Sequence, residues 1–350
     1  MGYTYNLPTR RDPFGVDIIE WERSEEIYYT EKKKNMKILI ATEKPFAKKA
    51  VDGMKEILSE AGYEVVQLEK YTEPEELVAA VADVDGLIIR SDKVTAEVLE
   101  AAKNLKIVVR AGAGYDNVDL VAASAKDVVV MNTPGQNSNA VAELAMGMMI
   151  YMSRNKFVPG TGFELQGKTV GIHAYGNVGR LVARKAKAFG MNVIAYDPFV
   201  TDKALFENDG VEAVGSVEEL YAASDFLSLH IPATAQTKKS IGYELMMSMP
   251  KGATLVNTAR KEVIDEVGLE AAMTERPDLK YITDIAPDDA STMAALFGNR
   301  FFATPKKMGA ETAEANINAG LAAARQVVGY LERGETRFQV NKKPCDCNKV

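Results

Sequence analysis

Residues 165–198 constrain the fold of this chain more than any other stretch, because they form one complete βαβ pattern. An apolar run over residues 169–174 is typical of a strand that is buried on both faces of a parallel sheet. Helical periodicity follows over residues 180–189 and stops at Gly190, and a second apolar run covers residues 192–196. Parallel strands joined by a helix predict an α/β fold.

The turn between the first strand and the helix predicts a dinucleotide site. Gly176 lets the backbone approach a pyrophosphate, and Gly179 lets the helix pack closely on the strand, although the first glycine of the usual G-x-G-x-x-G pattern is Ala174 here. The helix N-terminus presents N–H groups and partial positive charge to the phosphates. Asp197 ends the second strand, where it can accept hydrogen bonds from a ribose and repel a 2′-phosphate, so NAD is favoured over NADP. The predicted cofactor-binding residues of this pattern are Tyr175, Gly176, Asn177, Val178, Gly179 and Asp197.

Composition and charge limit the class of protein, its partners and its location. The 350 residues, 47% hydrophobic and 26% charged, fit a globular protein of about two domains. A net charge of -7 predicts no nucleic-acid partner, and no apolar run is long enough to span a membrane. Residues 1–35 carry no targeting pattern, so a cytoplasmic location is expected. Cys345 and Cys347 lack a full set of ligands, so no metal site is predicted.

The chain before the βαβ unit alternates short apolar runs with helical patterns, which predicts a parallel, doubly wound sheet. Strands are expected at residues 37–42, 64–68, 86–90, 106–110 and 128–131, and helices at 47–61, 74–82, 95–103 and 118–125. Ligands of such sheets lie beyond the carboxyl ends of the strands. Lys44, Arg90 and Ser91 lie there and could bind an anion, and the small-residue turn with Ala113 and Gly114 could hold a carboxylate through its N–H groups.

The rest of the chain predicts a second sheet of the same type. A helix is expected at residues 139–153, further strands at 211–214, 225–230, 253–257 and 281–284, and further helices at 217–223 and 313–333. The predicted fold class is therefore α/β, with two doubly wound parallel-sheet domains. A flavodoxin-like substrate domain would comprise residues 36–135 and 304–343, and a Rossmann NAD-binding domain residues 136–303. Residues 1–35 would be an N-terminal extension of open role, and residues 344–350 a tail.

Seven motifs in order make residues 36–341 resemble the D-2-hydroxyacid dehydrogenases, and among them the short D-3-phosphoglycerate dehydrogenases. They are RAGAGYDNVD at 110–119, NTPGQNSNAVAEL at 132–144, LQGKTVG at 165–171, LHIP at 229–232, VNTAR at 256–260, DIAPDD at 284–289 and TPKKMGAET at 304–312. The resemblance implies an NAD-dependent oxidoreductase that works as a homodimer formed through the helix at residues 140–151. It also implies that the regulatory ACT domain of longer relatives is absent.

The resemblance further implies a catalytic arginine and a carboxylate. Arg260 matches the arginine, whose planar fork can hold the hydroxyl oxygen and the carboxylate of a 2-hydroxy acid. Asp289 falls at the carboxylate position, where the family usually has glutamate, and Asp288 is the alternative beside it.

The family's catalytic histidine has no counterpart, since His173 and His230 fall in cofactor segments. Lys306 and Lys307 stand in its place, and the Gly-Ala that follows favours Lys307 as the acid/base. A free lysine has a pKa of about 10.4. Burial, Arg260 and the nicotinamide ring would lower the pKa of Lys307 and Asp289 would raise it, so an alkaline activity optimum is expected.

The remaining contacts are also implied by the resemblance. The cofactor-binding residues would include His230, Pro232, Thr237, Thr258 and Asp284, and the substrate-binding residues would be Lys44, Arg90, Ser91, Ala113, Gly114, Asn137 and Arg260. Two cations near a carboxylate-binding turn favour a substrate with two anionic ends. The expected reaction is the oxidation of 3-phosphoglycerate to 3-phosphohydroxypyruvate, the first step towards serine, with its physiological direction open. The alternatives are a glyoxylate or hydroxypyruvate reductase and a non-catalytic NAD-sensing scaffold.

Overall fold

A computed structural model of the chain describes residues 36–342, so the predictions for residues 1–35 and for Cys345 and Cys347 lie outside the described residues. The chain divides into two compact units. The first unit runs up to Pro134 and resumes at Asn316, and the second unit is Gly135–Ala315. Within the described range, no helix is both long and apolar enough to cross a membrane.

The first unit is built on a five-stranded parallel sheet. Its strands are β1 (Lys37–Thr42), β2 (Glu64–Glu69), β3 (Gly86–Ile89), β4 (Ile107–Arg110) and β5 (Val129–Asn132). Its helices are α1 (Lys48–Glu60), α2 (Pro74–Ala80), α3 (Ala96–Ala101) and α4 (Leu120–Ala125). The strand order β2-β1-β3-β4-β5 confirms the flavodoxin-like prediction.

Both faces of this sheet are buried, because the side chains of a strand alternate between two cores. Ile38 and Ile40 of β1 belong to a core with α1, whereas Leu39 and Ala41 belong to the core on the other face with α2 and α3. All four side chains are fully buried. This accounts for the continuous apolar runs in the sequence, since a strand with helices on both sides has no solvent face.

The second unit is built on a seven-stranded parallel sheet. Its strands are β6 (Thr169–His173), β7 (Asn192–Tyr196), β8 (Glu212–Ala213), β9 (Phe226–Leu229), β10 (Thr254–Asn257), β11 (Lys280–Thr283) and β12 (Phe301–Ala303). Its helices are α5 (Ser138–Ser153), α6 (Asn177–Ala188), α7 (Ala204–Asp209), α8 (Val217–Ala222), α9 (Tyr243–Ser248), α10 (Glu266–Glu275) and α11 (Ala290–Phe297). The order β12-β11-β10-β9-β6-β7-β8 confirms the Rossmann prediction, and it reverses between β6 and β9, where such sheets bind their ligands.

The structure differs from the sequence predictions in several places, and helices α7, α9, α10 and α11 were not among the predicted elements. Helix α6 begins at Asn177 rather than at residue 180, because the glycine turn continues directly into the helix. Strand β12 was not predicted, since three residues are too few to show a periodicity. The second crossing between units lies after Ala315 rather than after residue 303, and the chain then continues within α12 (Ala313–Arg333). Hydrogen bonds from residues 304–309 to Asp284 keep that segment in the second unit.

Candidate functional site

The turn after β6 has the backbone that a phosphate-binding loop needs. Ala174 takes a φ of +78°, a left-handed conformation that costs a residue with a side chain about 1 kcal/mol or more. A Cβ at Gly179 would lie 2.3 Å from the carbonyl oxygen of Ala174, so glycine is required there by packing. A Cβ at Gly176 would meet nothing within 4 Å in the described chain, and no side chain there caps α6. The helix N-terminus is therefore open to a phosphate.

Asp197 lies at the end of β7, next to this turn. Its carboxylate accepts hydrogen bonds from the backbone N–H of Tyr175 at 2.8 Å and of Phe199 at 2.9 Å. A carboxylate held by two amides keeps a fixed direction and can still accept bonds from ribose hydroxyls. The side chain of Tyr175 is turned into the core, where its ring stacks on Phe206 and its hydroxyl donates to Asp209. Only the backbone of Tyr175 can therefore serve a cofactor.

Asp209 forms an ion-pair cluster that the sequence did not reveal. Its buried carboxylate accepts hydrogen bonds from Nε of Arg180 at 2.8 Å and from Nη2 of Arg184 at 3.1 Å. The hydrogen bond from Arg180 is the main reason why the pKa of Asp209 falls to about 2. The cluster ties α6, which carries the phosphate-binding turn, to the end of α7.

His173 is buried at the carboxyl end of β6, and His230 is half-buried directly after β9. Burial lowers the pKa of His173 to about 4 and that of His230 to about 3, so both rings are neutral near pH 7. Nε2 of His230 lies 3.0 Å from Oγ of Ser228. In the loop that follows, the hydroxyl of Thr237 donates to the carbonyl oxygen of Pro232 and closes the turn.

Thr258 follows β10 and offers a polar group without a protein partner. Its hydroxyl is buried, and within the described residues it makes no hydrogen bond. A buried hydroxyl normally has a partner, so this atom is available to a bound molecule. The open α6 N-terminus, the fixed Asp197 carboxylate and this hydroxyl fit the phosphates and hydroxyls of a dinucleotide.

Arg260 is presented by a turn that Asn257 stabilises. The amide oxygen of Asn257 accepts the N–H of Ala259 at 2.9 Å, and its Nδ2 donates to the carbonyl oxygen of Arg260 at 3.0 Å. The guanidinium of Arg260 is half-buried and donates to the carbonyl oxygen of Ala259 at 2.8 Å. Asn257 is fully buried, and the sequence gave no sign of its supporting role.

The two candidate carboxylates, Asp288 and Asp289, differ in their partners in the structure. Asp288 is paired with Nζ of Lys261, which raises the pKa of that lysine, and its N–H donates to Glu266. Asp289 is exposed at the start of α11, where in the described structure its side chain makes no capping hydrogen bond. Both line a cleft of about 630 Å³ in the second unit. Within the described residues, Asp289 is thus the candidate carboxylate with fewer polar partners.

The segment with the two lysines is anchored at both ends on one buried carboxylate. Asp284 accepts hydrogen bonds from the hydroxyl of Thr304 at 2.9 Å and from the N–H groups of Met308 and Gly309 at 2.8 Å each. Lys306 and Lys307 lie between these anchors and are exposed. Asp284, predicted as a cofactor contact, therefore also fixes the segment that carries the candidate acid/base.

Most of the predicted substrate-binding residues lie in the first unit, at the carboxyl ends of β1, β3 and β4. Arg90 is held rigidly: Nη2 donates to Asn316 at 2.6 Å, Nη1 to the carbonyl oxygen of Pro45 at 3.3 Å, and the guanidinium lies 5.4 Å from the ring of Phe46. Lys44, Ser91, Ala113 and Gly114 lie on the same set of loops, whereas Asn137 lies in the second unit at the start of α5.

Arg110 is a further cation on these loops, and it was not among the site residues predicted from the sequence. Its Nε donates to the carbonyl oxygen of Arg90 at 3.0 Å, and a side chain at Gly112 would collide with its guanidinium. The arginine therefore lies over the small-residue turn. Its position at the end of β4, one residue before a glycine-rich turn, was the signal that could have identified it.

Comparisons with known proteins agree with this geometry. Residues 148–305 match the NAD-binding domain of the D-isomer specific 2-hydroxyacid dehydrogenases. Over 280 residues the chain is 38% identical to the hydroxypyruvate reductase of Thermotoga maritima, an alignment that covers 75% of this chain and 90% of that relative. The chain belongs to the D-2-hydroxyacid dehydrogenase family. Members are NAD-dependent oxidoreductases, so the second unit is an NAD-binding domain and the predicted cofactor, NAD, is confirmed.

Other relatives within this family are phosphoglycerate dehydrogenases. The chain is 39% identical over 287 residues to D-3-phosphoglycerate dehydrogenase of Methanocaldococcus jannaschii, an alignment that covers 77% of this chain but 54% of the relative. The chain thus spans about half the length of that relative. The crystal structure of NAD⁺-bound 3-phosphoglycerate dehydrogenase from Entamoeba histolytica is 50% identical, with a TM-score of 0.78 and coverage of 89% of this chain and 100% of that one.

Proposed function

We propose that the chain oxidises 3-phospho-D-glycerate to 3-phosphohydroxypyruvate, the first step towards serine. The observation that carries this proposal is the group of cations in the first unit, where Arg90 is rigidly held, Arg110 donates to its carbonyl oxygen and Lys44 lies on the adjoining loop. An unphosphorylated hydroxy acid needs no such group, whereas a phosphate does. The similarity to phosphoglycerate dehydrogenases supports the same substrate.

The second unit would supply the chemistry. NAD held by this unit would supply the hydride acceptor, so that the hydride would leave C2 of the substrate with its electron pair, the hydroxyl proton would pass to a base, and the C2–O bond would become a carbonyl. We assign Arg260 to hold the hydroxyl oxygen and carboxylate, Lys307 to accept the proton, and Asp289 to orient the reacting groups. This choice of carboxylate is supported by the pairing of Asp288 with Lys261.

Removal of the Arg90 charge tests the substrate assignment. Arg90→Ala is expected to lower kcat/KM for 3-phosphohydroxypyruvate by about 10- to 100-fold, because charge-assisted hydrogen bonds to the phosphate are lost. The kcat/KM for hydroxypyruvate should change little. Arg325→Ala, which removes an exposed arginine on α12, is the matched control. Steady-state rates of NADH oxidation give both values.

Three results would overturn the assignment. An equal loss with both substrates would show that Arg90 does not bind phosphate. A parent chain that prefers hydroxypyruvate or glyoxylate would instead be a reductase of unphosphorylated acids, and a parent that binds NADH without any turnover would be the NAD-sensing scaffold.

We also propose that the chain is a cytoplasmic homodimer, formed through the helix that the sequence indicated, α5, together with the turn that follows it. Met146, Met149 and Met152 of α5 are buried within their own unit. The exposed apolar side chains nearby are Phe157 and Val158, on a turn whose Lys156 donates to carbonyl oxygens of Gly298 and Phe301. Sedimentation equilibrium is expected to give twice the chain mass of 38.2 kDa, and the Phe157→Glu variant should be monomeric. A monomeric parent would contradict the proposal.

A further inference from the structure

Asp92 is a buried carboxylate beneath the cationic loops of the first unit, and no sequence pattern singled it out. It is 2% exposed. Its Oδ1 accepts the hydroxyl of Tyr71 at 2.8 Å and the N–H of Glu43 at 2.7 Å, and its Oδ2 accepts the N–H of Arg90 at 3.0 Å. One side chain thus joins the loop after β1 to the loop after β3.

Asn117 extends the same connection to the loop after β4. Its Nδ2 donates to the carbonyl oxygens of Asp92 at 2.6 Å and of Arg90 at 3.2 Å. The three loops joined in this way carry Lys44, Arg90 and the small-residue turn with Ala113. The backbone positions of the proposed anion-binding groups therefore depend on two polar side chains, of which Asp92 is buried and Asn117 is half-buried.

A buried carboxylate is costly unless it is well hydrogen-bonded, and the three donors of Asp92 are all uncharged. Such a network holds its members in one arrangement, because any displacement leaves a buried polar group unpaired. Cations whose positions are fixed before the ligand binds give a higher affinity, because less conformational entropy is lost on binding.

We propose that Asp92 is a positioning residue that sets the affinity and selectivity of this chain for the phosphate end of its substrate. The proposal rests on the proposed function. It assigns to Asp92 no contact with the substrate; Asp92 acts through the backbone of Glu43 and Arg90. Arg260 and the lysine segment belong to the other unit.

Two variants separate the contributions to this network. Asp92→Asn keeps the shape and can still accept bonds from Tyr71 and Glu43, but its NH₂ group faces the N–H of Arg90, so donor opposes donor. The loop after β3 should shift while the loop after β1 is retained. Tyr71→Phe removes one donor and leaves both backbone bonds in place, so it serves as the milder variant should Asp92→Asn fail to fold.

The kinetic test compares phosphorylated and unphosphorylated substrates with the full chain. In Asp92→Asn the KM for 3-phosphohydroxypyruvate is expected to rise about tenfold with little change in kcat, the effect of losing one buried hydrogen bond. The kcat/KM for hydroxypyruvate and the Kd for NADH should be unchanged. Tyr71→Phe should raise the same KM about threefold. Losses that are equal for both substrates, or that fall on kcat alone, would reduce Asp92 to a purely structural role and overturn the proposal.

A second measurement tests the positioning role of Asp92 without relying on substrate preference. It applies even if the parent shows no preference for phosphorylated substrates, a result that would by itself contradict the proposed function. Amide hydrogen exchange of the NADH-bound chain is expected to be about tenfold faster at Arg90 in Asp92→Asn than in the parent, with little change at Glu43. Unchanged exchange at Arg90 would show that Asp92 does not position this loop.

Discussion

Replacement of Lys307 by methionine is expected to lower kcat for 3-phosphoglycerate oxidation by about 10²-fold or more, the effect of losing a general base. Methionine is similar in length but cannot accept a proton. The anchors of this segment lie on Asp284, through Thr304 on one side and Met308 and Gly309 on the other, and they do not involve the lysine side chain. The fold of the segment and the Kd for NADH should therefore be retained.

Lys306→Met is the matched control, because Lys306 lies in the same anchored segment and is also exposed. It should keep kcat close to that of the parent. A pronounced loss in Lys306→Met with a normal Lys307→Met would exchange the two assignments. Retention of kcat from pH 7 to 10 in both variants would contradict a lysine acid/base altogether.

Replacement of Arg260 by lysine is expected to lower kcat/KM by about 10³-fold, even though the positive charge is kept. A lysine presents a point charge, whereas the proposed role needs a planar fork that reaches the hydroxyl oxygen and the carboxylate together. The turn should survive, because Asn257 holds it through the backbone of Ala259 and Arg260. Steady-state kinetics with 3-phosphoglycerate measure the loss.

Arg184→Lys is the control for this substitution, since Arg184 is an exposed member of the Asp209 cluster in the same unit. Its kcat/KM should stay near that of the parent. A loss of less than about tenfold in Arg260→Lys would show that a single charge suffices and would contradict the bidentate role.

The strands and the main helices were predictable because their signals are local. Buried strands such as β6 and β10 appear as short apolar runs, and the glycine turn marks the strand-to-helix step. The two glycines could even be given separate roles, which the structure matches: Gly179 is enclosed by packing and Gly176 is open. Strand β12, with three residues, lay below the length that periodicity can detect.

The supporting residues of the site could not be predicted, because their partners are distant in the chain. Asp284 reaches Met308 and Gly309, and Asp92 reaches Glu43 and Tyr71. Such pairs depend on how loops from different strands meet. The residues next to one member of a pair contain no pattern that identifies the other member. Tyr175 shows the converse: its place in the glycine turn suggested a cofactor contact, but its side chain is buried against Phe206.

The central claim is tested most directly by the initial rate of NADH formation by the full chain with 3-phospho-D-glycerate and, in parallel, with D-glycerate. The account predicts turnover with the phosphorylated acid and a kcat/KM at least about tenfold higher than with D-glycerate, as expected for a charge-assisted phosphate contact. Binding of NADH without turnover of either acid, or a preference for D-glycerate, would contradict it.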